Sequence, residues 1–367
     1  MKNFFLILLF VSAVTNLVRA EISISGYQEF IAGSADQTKY KGSADHGIDK
    51  SGLSNGIYSR IMMTATSKTD SGLDLTGTYT FTRDCRVDTD NCGVSANENA
   101  LAVSGGFGTF AVGETGTAGT SMHSRKTAGI PTAEPDGLLY TQYLTTDGSN
   151  SYTGPNETKY ASNPMTAKFF SNSYGGFSFG VSYTTNTAEN ASTGSGQNGQ
   201  TITYGGDFND LTEIVVAYST EFDGIGIDFT YGYGTGNGGS QASIKYNDLT
   251  EETYSIAISY GGFSADVRTG DRGDSGLVQN NGEGGQEYLS FCGMYSVGSI
   301  SVGFCEEDSD YKTATQTNNQ NTRVLSAGYA LGGGASFEVA FFSFEQVAGT
   351  AVQTDADGVL TKLSFGF

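Results

Sequence analysis

The chain has 367 residues and a formal net charge of −20, and 52 of its residues are glycine. Charged residues make up only 16%, while 21 Tyr and 23 Phe are present. So many aromatic residues exclude a disordered chain, and the acidic balance excludes a nucleic-acid-binding protein. So few charges combined with so much glycine disfavour a helical bundle.

The first twenty residues have the features of a secretory signal peptide. Lys2 provides a positive N-terminal region, residues 4–14 form an apolar run, and Ala20 is the small residue that precedes a cleavage site. The run is too short for a transmembrane helix, which needs about 20 apolar residues. We therefore expect residues 1–20 to be removed and residues 21–367 to be exported.

From residue 21 onwards the dominant pattern has a period of two residues. Apolar and polar side chains alternate in residues 73–82, 177–184, 225–233 and 359–367. Because successive side chains of a strand point to opposite faces, each segment has one apolar and one polar face. Repeated segments of this kind are typical of a transmembrane β-barrel, although a soluble β-sandwich alternates too.

Short glycine-containing turns separate these segments and set the strand count. Two-residue turns of this kind join antiparallel strands into hairpins. Seven short turns are predicted at residues 67–72, 105–106, 175–176, 223–224, 261–262, 298–299 and 332–334. Eight longer connections are predicted at residues 32–55, 83–96, 115–155, 185–210, 235–251, 269–285, 307–321 and 346–357. Together they predict sixteen strands, with both termini on the side of the short turns.

Two further alternating segments, residues 201–208 and 240–247, would raise the count to eighteen strands. The tetrapeptide Asn-Asp-Leu-Thr follows both segments, at residues 209–212 and 247–250. If both segments spanned a membrane, these identical sequences would lie on opposite sides of it. We interpret the two segments as structure within loops, and eighteen strands remains the alternative.

These features together resemble the general-diffusion porins of Gram-negative outer membranes. Residues 156–162 and 174–183 resemble the strands that follow the third loop of such porins, and Phe367 resembles the terminal aromatic residue that their assembly machinery recognises. The resemblance implies an all-β, transmembrane antiparallel barrel of sixteen strands, with short periplasmic turns and long external loops. It further implies a homotrimer in contact with lipopolysaccharide, which lets ions and small hydrophilic solutes diffuse through and has no enzymatic activity.

The loop at residues 115–155 differs from the others in composition. All 4 prolines of the chain lie between residues 131 and 164, and proline cannot donate a hydrogen bond within a sheet. The porin resemblance implies that this third loop folds into the lumen and narrows it. Glu114, Glu134 and Asp136 are then its candidate acidic groups. An external flap is the alternative.

Four basic residues are candidates for the opposing wall. The alternation places Arg60, Lys168, Arg268 and Lys362 on inward faces, because a cation that faces the bilayer midplane costs about 2–4 kcal/mol. Acidic groups on one side and basic groups on the other would create a transverse field, and scattered solvated charge is the alternative. The acidic net charge predicts some preference for cations.

The four cysteines suggest two disulfides, which an exported chain permits. Cys85 and Cys92 lie close together within one predicted loop. Cys292 and Cys305 flank the turn at residues 298–299 and come directly opposite each other in its hairpin register, on the inward face. Cross-pairing and free thiols are the alternatives.

Other chemistry is weakly indicated. Asp84, Asp88 and Asp90 crowd the second loop and could hold a structural Ca²⁺, although a solvated acidic loop is the alternative and no other cofactor is predicted. His123 lies beside Ser121, but adjacency in sequence does not make a catalytic pair. An adhesin or other structural barrel, a substrate-specific porin and an outer-membrane hydrolase are the alternatives to a diffusion channel.

Overall fold

The structure is a computed structural model, and it describes residues 20–38, 53–85, 93–122, 165–186, 208–241, 244–280, 284–312, 316–349 and 351–367. Nine strands belong to the first part of the chain: β1 Glu21–Thr38, β2 Ser54–Lys68, β3 Asp74–Cys85, β4 Val94–Gly105, β5 Gly108–Glu114, β6 Met165–Phe170, β7 Phe177–Asn186, β8 Phe208–Phe222 and β9 Ile225–Gly238. Nine more follow: β10 Ser240–Gln241, β11 Ile244–Lys245, β12 Leu249–Tyr260, β13 Phe263–Gly273, β14 Gly284–Val297, β15 Ile300–Lys312, β16 Thr317–Gly332, β17 Ala335–Ala348 and β18 Ala351–Gly366. A short helix, α1, spans Ala118–Met122. Within the described ranges, no helix is long and apolar enough to cross a membrane.

Sixteen of the strands form one closed antiparallel barrel. Each strand pairs with its neighbours along the chain, and β1 pairs with β18 to close the wall. At this seam the backbone N–H groups of Gly26 and Phe367 each donate to the other residue's carbonyl, at 2.9 Å. The seven short turns lie where the sequence predicts them. The predicted sixteen-stranded barrel is therefore confirmed.

The two small strands between β9 and β12 form a separate sheet. β10 and β11 pair only with each other and do not enter the barrel. This agrees with the interpretation of residues 240–247 as structure within a loop. The other additional segment, residues 201–208, lies outside the described residues except for Phe208.

The two faces of the barrel wall differ as the period of two predicts. On β9, the side chains of Ile225, Ile227 and Phe229 are exposed on the outer face, whereas Thr230 is buried on the inner face. Aromatic rings pack against each other across the outer surface, as in the pair Phe177 and Tyr218 with ring centroids 4.4 Å apart. An apolar outer band and a polar inner face are the arrangement that a lipid bilayer requires of a barrel.

The strands are longer than predicted at the ends opposite the short turns. The connection predicted at residues 346–357 is wrong, because β17 reaches Ala348 and β18 begins at Ala351. The residues that extend β18 include Asp355 and Asp357, which are exposed on the outer face and hydrogen-bonded in the ladder, whereas Ala356 between them is buried. Alternation in hydrophobicity marks only the part of a strand that faces lipid, so it understates strand length beyond the apolar band.

The third loop begins with a helix that the sequence does not predict. No stretch of the chain shows helical spacing of apolar residues, yet α1 forms directly after β5. Its five residues are too few to show a helical repeat. Its stability comes instead from contacts with the barrel wall.

Two loops at the end opposite the short turns are fastened to each other. A β-bridge joins Tyr246 to Val278, and the backbone N–H of Asn247 donates to the Leu277 carbonyl at 2.8 Å. Leu277 is buried, as are the inward-facing Phe208 and Leu249. The loop that follows β13 also packs against the inner wall, because Gly276 lies next to the ring of Phe208.

Candidate functional site: the charged inner wall

Arg60 points into the barrel because its strand neighbours face outwards. Ile57 and Ile61 on β2 are exposed on the outer face, so Tyr58 and Arg60 lie on the inner face. A guanidinium nitrogen of Arg60 lies 3.0 Å from a carboxylate oxygen of Glu98, and each side chain is 29% exposed. The inner wall thus carries a partly solvated ion pair.

Sequence reasoning missed Glu98 because a bulge controls its orientation. Glu98 lies on β4, one strand beyond β3, and pairs in register with the inward-facing Thr80. The register shifts at the next residue, where Phe81 pairs with Ala96 rather than with residue 97. One extra residue in a strand reverses the faces on one side of it, so simple alternation cannot assign Glu98.

A second ion cluster lies around Lys362. Its ammonium nitrogen is 2.8 Å from a carboxylate oxygen of Glu338 and 3.5 Å from one of Glu29, and all three side chains are 14–15% exposed. These residues lie on three adjacent strands, β17, β18 and β1. The hydroxyl of Ser336 also donates to Glu338 at 2.8 Å. Period-two alternation could have found Glu29, because Ile22, Ile24 and Phe30 mark the outer face of β1. It could not assign Glu338, because phenylalanines lie on both faces of β17.

The two clusters adjoin each other on the wall. Tyr27 is paired with Arg60 in register, Glu29 is paired with Tyr58, and the two tyrosine rings stack at 5.6 Å. We call the five charged residues Glu98, Arg60, Glu29, Lys362 and Glu338 the charge stripe. It contains three carboxylates and two cations, and its side chains are partly accessible to solvent.

The structure does not bring Arg268 to the charge stripe. Arg268 lies on β13, where it is 3% exposed, 3.7 Å from an Asp266 carboxylate oxygen and 3.5 Å from the Ser290 hydroxyl. Arg272, which sequence reasoning did not single out, lies two inward positions further along β13 and pairs with Glu251 at 3.5 Å. Asp266 lies on the same strand as Arg268, whereas the pair of Arg272 with Glu251 joins β13 to β12. Both buried pairs lie on another part of the wall.

Lys168 contacts the third loop rather than the charge stripe. Its ammonium group donates to the Thr115 hydroxyl at 3.0 Å, the Gly116 carbonyl at 2.8 Å and the Ser121 hydroxyl at 3.1 Å. The ammonium also lies 5.6 Å from the centre of the Phe170 ring. The start of the third loop is therefore fastened to the inner face of β6.

Glu114, the acidic candidate of the third loop that the structure describes, is not brought to the stripe. Glu114 ends β5 in register with Asn99 and Met165, in the same row as the outward-facing Phe110. Glu134 and Asp136 lie outside the described residues, so their part in a constriction stays a prediction.

A disulfide joins Cys292 to Cys305, as the hairpin register predicts. The two residues pair directly across β14 and β15, with Cα atoms 4.2 Å apart, and both are buried on the inner wall. Cys85 is also disulfide-bonded, but its predicted partner Cys92 lies outside the described residues.

The calcium prediction is not tested by this structure. Asp84 lies on β3 in register with Tyr58. Asp88 and Asp90 lie outside the described residues, as do residues 1–19 of the predicted signal peptide.

Comparisons with known proteins agree with this architecture. The profile of the Gram-negative porin family matches residues 7–349, and the chain belongs to that family. It is a multi-pass protein of the Gram-negative outer membrane. No curated protein sequence matches the chain.

Solved structures of outer-membrane barrels share the fold. In-vitro folded OmpT of Vibrio cholerae, described as a trimer form, aligns with a TM-score of 0.62 at 13% identity, over 95% of this chain and 99% of that one. A point-mutant porin of Rh. blastica aligns with a TM-score of 0.56 at 16% identity, over 95% of this chain and 100% of that one. Such low identities establish the fold alone.

Proposed function

We propose that the protein is a passive diffusion channel for ions and small hydrophilic solutes, with a preference for cations. The observation that carries the proposal is the charge stripe, whose ion pairs are partly solvated inside a closed barrel of sixteen strands. Barrels of this size leave an aqueous lumen. A water-filled path lined by fixed charges passes hydrated solutes without an energy source or bond-breaking chemistry.

The preference for cations follows from the balance of charge. The stripe holds three carboxylates against two cations, an excess of one negative charge, and the whole chain carries −20. A negative potential along the path and at its mouths raises the local concentration of cations.

The proposal includes a homotrimer that contacts lipopolysaccharide and is assembled through its C-terminal strand. The trimer form of the Vibrio cholerae neighbour supports the oligomer. Phe367 is exposed beside the ring of Phe365, with centroids 6.1 Å apart, where an assembly factor could contact it. Native mass spectrometry of the detergent-extracted protein measures the oligomer directly, and a monomer would contradict this part of the proposal.

The decisive experiment is single-channel recording of the refolded protein in a planar bilayer under a salt gradient. We expect the current to increase in steps as single channels open. The sign of the reversal potential should show that cations cross the channel more readily than anions. Heat-denatured protein in the same detergent is the control. A folded barrel that gives no current would overturn the channel and favour an adhesin or another structural barrel, and saturable current block by one solute class would favour a substrate-specific porin.

A further inference from the structure

The geometry points to the inner wall around Tyr27 as a binding site for a pyranose, the hydroxyl-bearing six-membered ring of a sugar. The inference rests on the proposed function only for the passage of that sugar through the barrel. Binding itself can be measured on the folded protein without any transport.

The ring of Tyr27 stands beside a gap in the side chains of the inner wall. Tyr58 on β2 stacks against it on one side, with the ring centroids 5.6 Å apart. On the other side, the residue in register on β18 is Gly366. Apart from its chain neighbours, a Cβ atom at Gly366 would meet nothing closer than the Gly334 carbonyl oxygen at 3.7 Å. Tyr27 is half-buried and therefore has one aromatic neighbour and one neighbour that is bare backbone.

The wall beyond Gly366 continues with small side chains. Phe365 is exposed on the outer face, so Gly366 and Ser364 on either side of it face the lumen. Ser336 on β17 pairs with Ser364 in register, and their hydroxyl oxygens lie 2.7 Å apart. These small residues leave room above the wall next to the Tyr27 ring. We call Tyr27, Gly366, Ser364 and Ser336 the tyrosine recess.

Charged groups of the stripe border the tyrosine recess. Glu29 follows Tyr27 by two positions on the same face of β1 and pairs in register with Ser364. The ammonium nitrogen of Lys362 lies 3.5 Å from a carboxylate oxygen of Glu29 and 2.8 Å from one of Glu338. An ammonium has three protons and a carboxylate about four lone-pair sites, so this cluster can donate and accept further hydrogen bonds. Donors and acceptors side by side match hydroxyl groups, because each hydroxyl both donates and accepts.

A pyranose fits this combination of an aromatic ring and adjacent polar groups. The C–H groups of a sugar ring form an apolar face that packs on the negative face of an aromatic ring. Hydroxyls at the edge of the sugar can then bond to the carboxylates and the ammonium, and such charge-assisted bonds are about twice as strong as neutral ones. An open-chain polyol has the hydroxyls without the apolar face, and it loses more conformational freedom on binding. The ammonium of Lys362 disfavours an organic cation at the same place.

The expected binding is weak, because a site on one wall covers only one side of its ligand. One aromatic contact and a few hydrogen bonds correspond to a dissociation constant of about 10 mM. Such a contact concentrates the sugar at the wall without excluding ions or other solutes. It is therefore compatible with a diffusion channel.

Saturation-transfer NMR tests the site on the refolded full-length protein in detergent micelles. The probe is methyl β-D-glucopyranoside, and the protein is saturated at aromatic proton frequencies, where an alkyl detergent has no signals. We expect transfer to the sugar protons that saturates with sugar concentration, with a midpoint of about 10 mM. Sorbitol, an open-chain polyol of similar size, should give at most about a fifth of that signal. Equal signals from the two solutes, or no saturable signal from the glucoside, would overturn the site.

Matched variants assign the signal to Tyr27. Tyr27→Leu removes the ring but keeps an apolar side chain, so the signal from the glucoside should fall about fivefold. Tyr27→Phe keeps the ring and should stay within about twofold of the wild type. Tyr295→Leu is the control, since Tyr295 is 51% exposed on the outer face of β14 and should not contact the sugar. An unchanged signal in Tyr27→Leu, or an equal fall in Tyr295→Leu, would overturn the assignment.

A second variant tests the polar edge of the site. Glu29→Gln keeps the shape of the side chain and removes its charge, so it should weaken binding of the glucoside about threefold. It also replaces Tyr27→Leu as the test should that variant not fold. Unchanged binding in Glu29→Gln would remove the charged groups from the site.

Vesicle swelling tests whether the site acts during passage. Vesicles that contain the protein are placed in glucoside or sorbitol of equal osmotic strength, and the ratio of the two swelling rates is measured. We expect this ratio to be about twofold higher for the wild type than for Tyr27→Leu, because a solute that the wall attracts is more concentrated in the lumen. If neither solute causes swelling, the proposed function fails while the NMR result still decides the site. If Tyr27→Leu loses the NMR signal but keeps the wild-type ratio, the role of the site in passage is overturned.

Discussion

Arg60 and Glu98 approach to 3.0 Å across the intervening strand β3, so the arginine of the charge stripe already has its counter-ion on the same wall. The sequence predicts instead that basic residues of the wall face acidic residues of the third loop. A local pair produces a weaker field across the lumen than two separated walls of opposite charge. Ion preference should then depend on the net charge of the stripe.

Replacing Arg60 by alanine tests this dependence. Arg60→Ala leaves Glu98 without its cation and should raise the cation-to-anion permeability ratio roughly fivefold, because a unit charge about 8 Å from an ion in water contributes ~0.5 kcal/mol, with opposite signs for a cation and an anion. The reversal potential under a salt gradient measures the ratio. Arg323→Ala is the control, since Arg323 is paired with Glu306 on the outer face. An unchanged reversal potential in Arg60→Ala would remove Arg60 from the ion path.

The cluster around Lys362 predicts a stability difference between two lysines. Lys362→Met leaves the carboxylates of Glu29 and Glu338 together with little exposure and should reduce the free energy of unfolding by about 3 kcal/mol. Lys68 pairs with Asp74 at 3.2 Å on an exposed site, so Lys68→Met should cost at most about 1 kcal/mol. Urea unfolding in lipid vesicles measures the free energy of unfolding of both variants. Equal losses of unfolding free energy in the two variants would show that burial of the cluster does not make its ion pairs more stabilising.

The disulfide predicts a stability change without a conductance change. Replacing both Cys292 and Cys305 by alanine should lower the free energy of unfolding by about 2–4 kcal/mol, because the cross-link restricts the unfolded chain. Both residues are buried, so single-channel conductance should stay the same. Unfolding of the double variant is compared with that of the wild type under non-reducing conditions. Coincident unfolding curves would contradict the prediction.

Close packing on the inner wall predicts intolerance to one added methyl group. At Gly270, a Cβ atom would collide with the ring of Tyr288, so Gly270→Ala should cost about 1–3 kcal/mol of stability. At Gly77 no atom lies within 4 Å of the position that a Cβ atom would occupy, so Gly77→Ala is the matched control. The midpoint of urea unfolding measures the stability of both variants. A neutral Gly270→Ala would show that Tyr288 moves aside freely.

The sequence predicts the strands well because lipid imposes a strict pattern on the outer face. Rows such as Ile225, Ile227 and Phe229 reveal both the strand and its inward side. The same logic explains why the register of Cys292 with Cys305 follows from the turn between them. These features depend only on neighbours along the chain or across one short turn.

The features that escape prediction depend on contacts between distant segments. The orientation of Glu98 follows from a bulge that pairing with β3 creates. Helix α1 forms because Ser182 and Glu213 offer acceptors to it, and neither residue is near it in sequence. The length of β18 escapes because Asp355 and Asp357 lie on the outer face beyond the apolar band, where lipid no longer requires apolar side chains.

The seam between β1 and β18 has a consequence for the order of events in biogenesis. Until β18 is in place, the barrel has two open edges whose backbone groups have no partner, and a bilayer core offers none. The terminal backbone groups of Phe367 complete the pairing with Gly26. Insertion must therefore wait for the last strand to be made, or another protein must cover both edges until then.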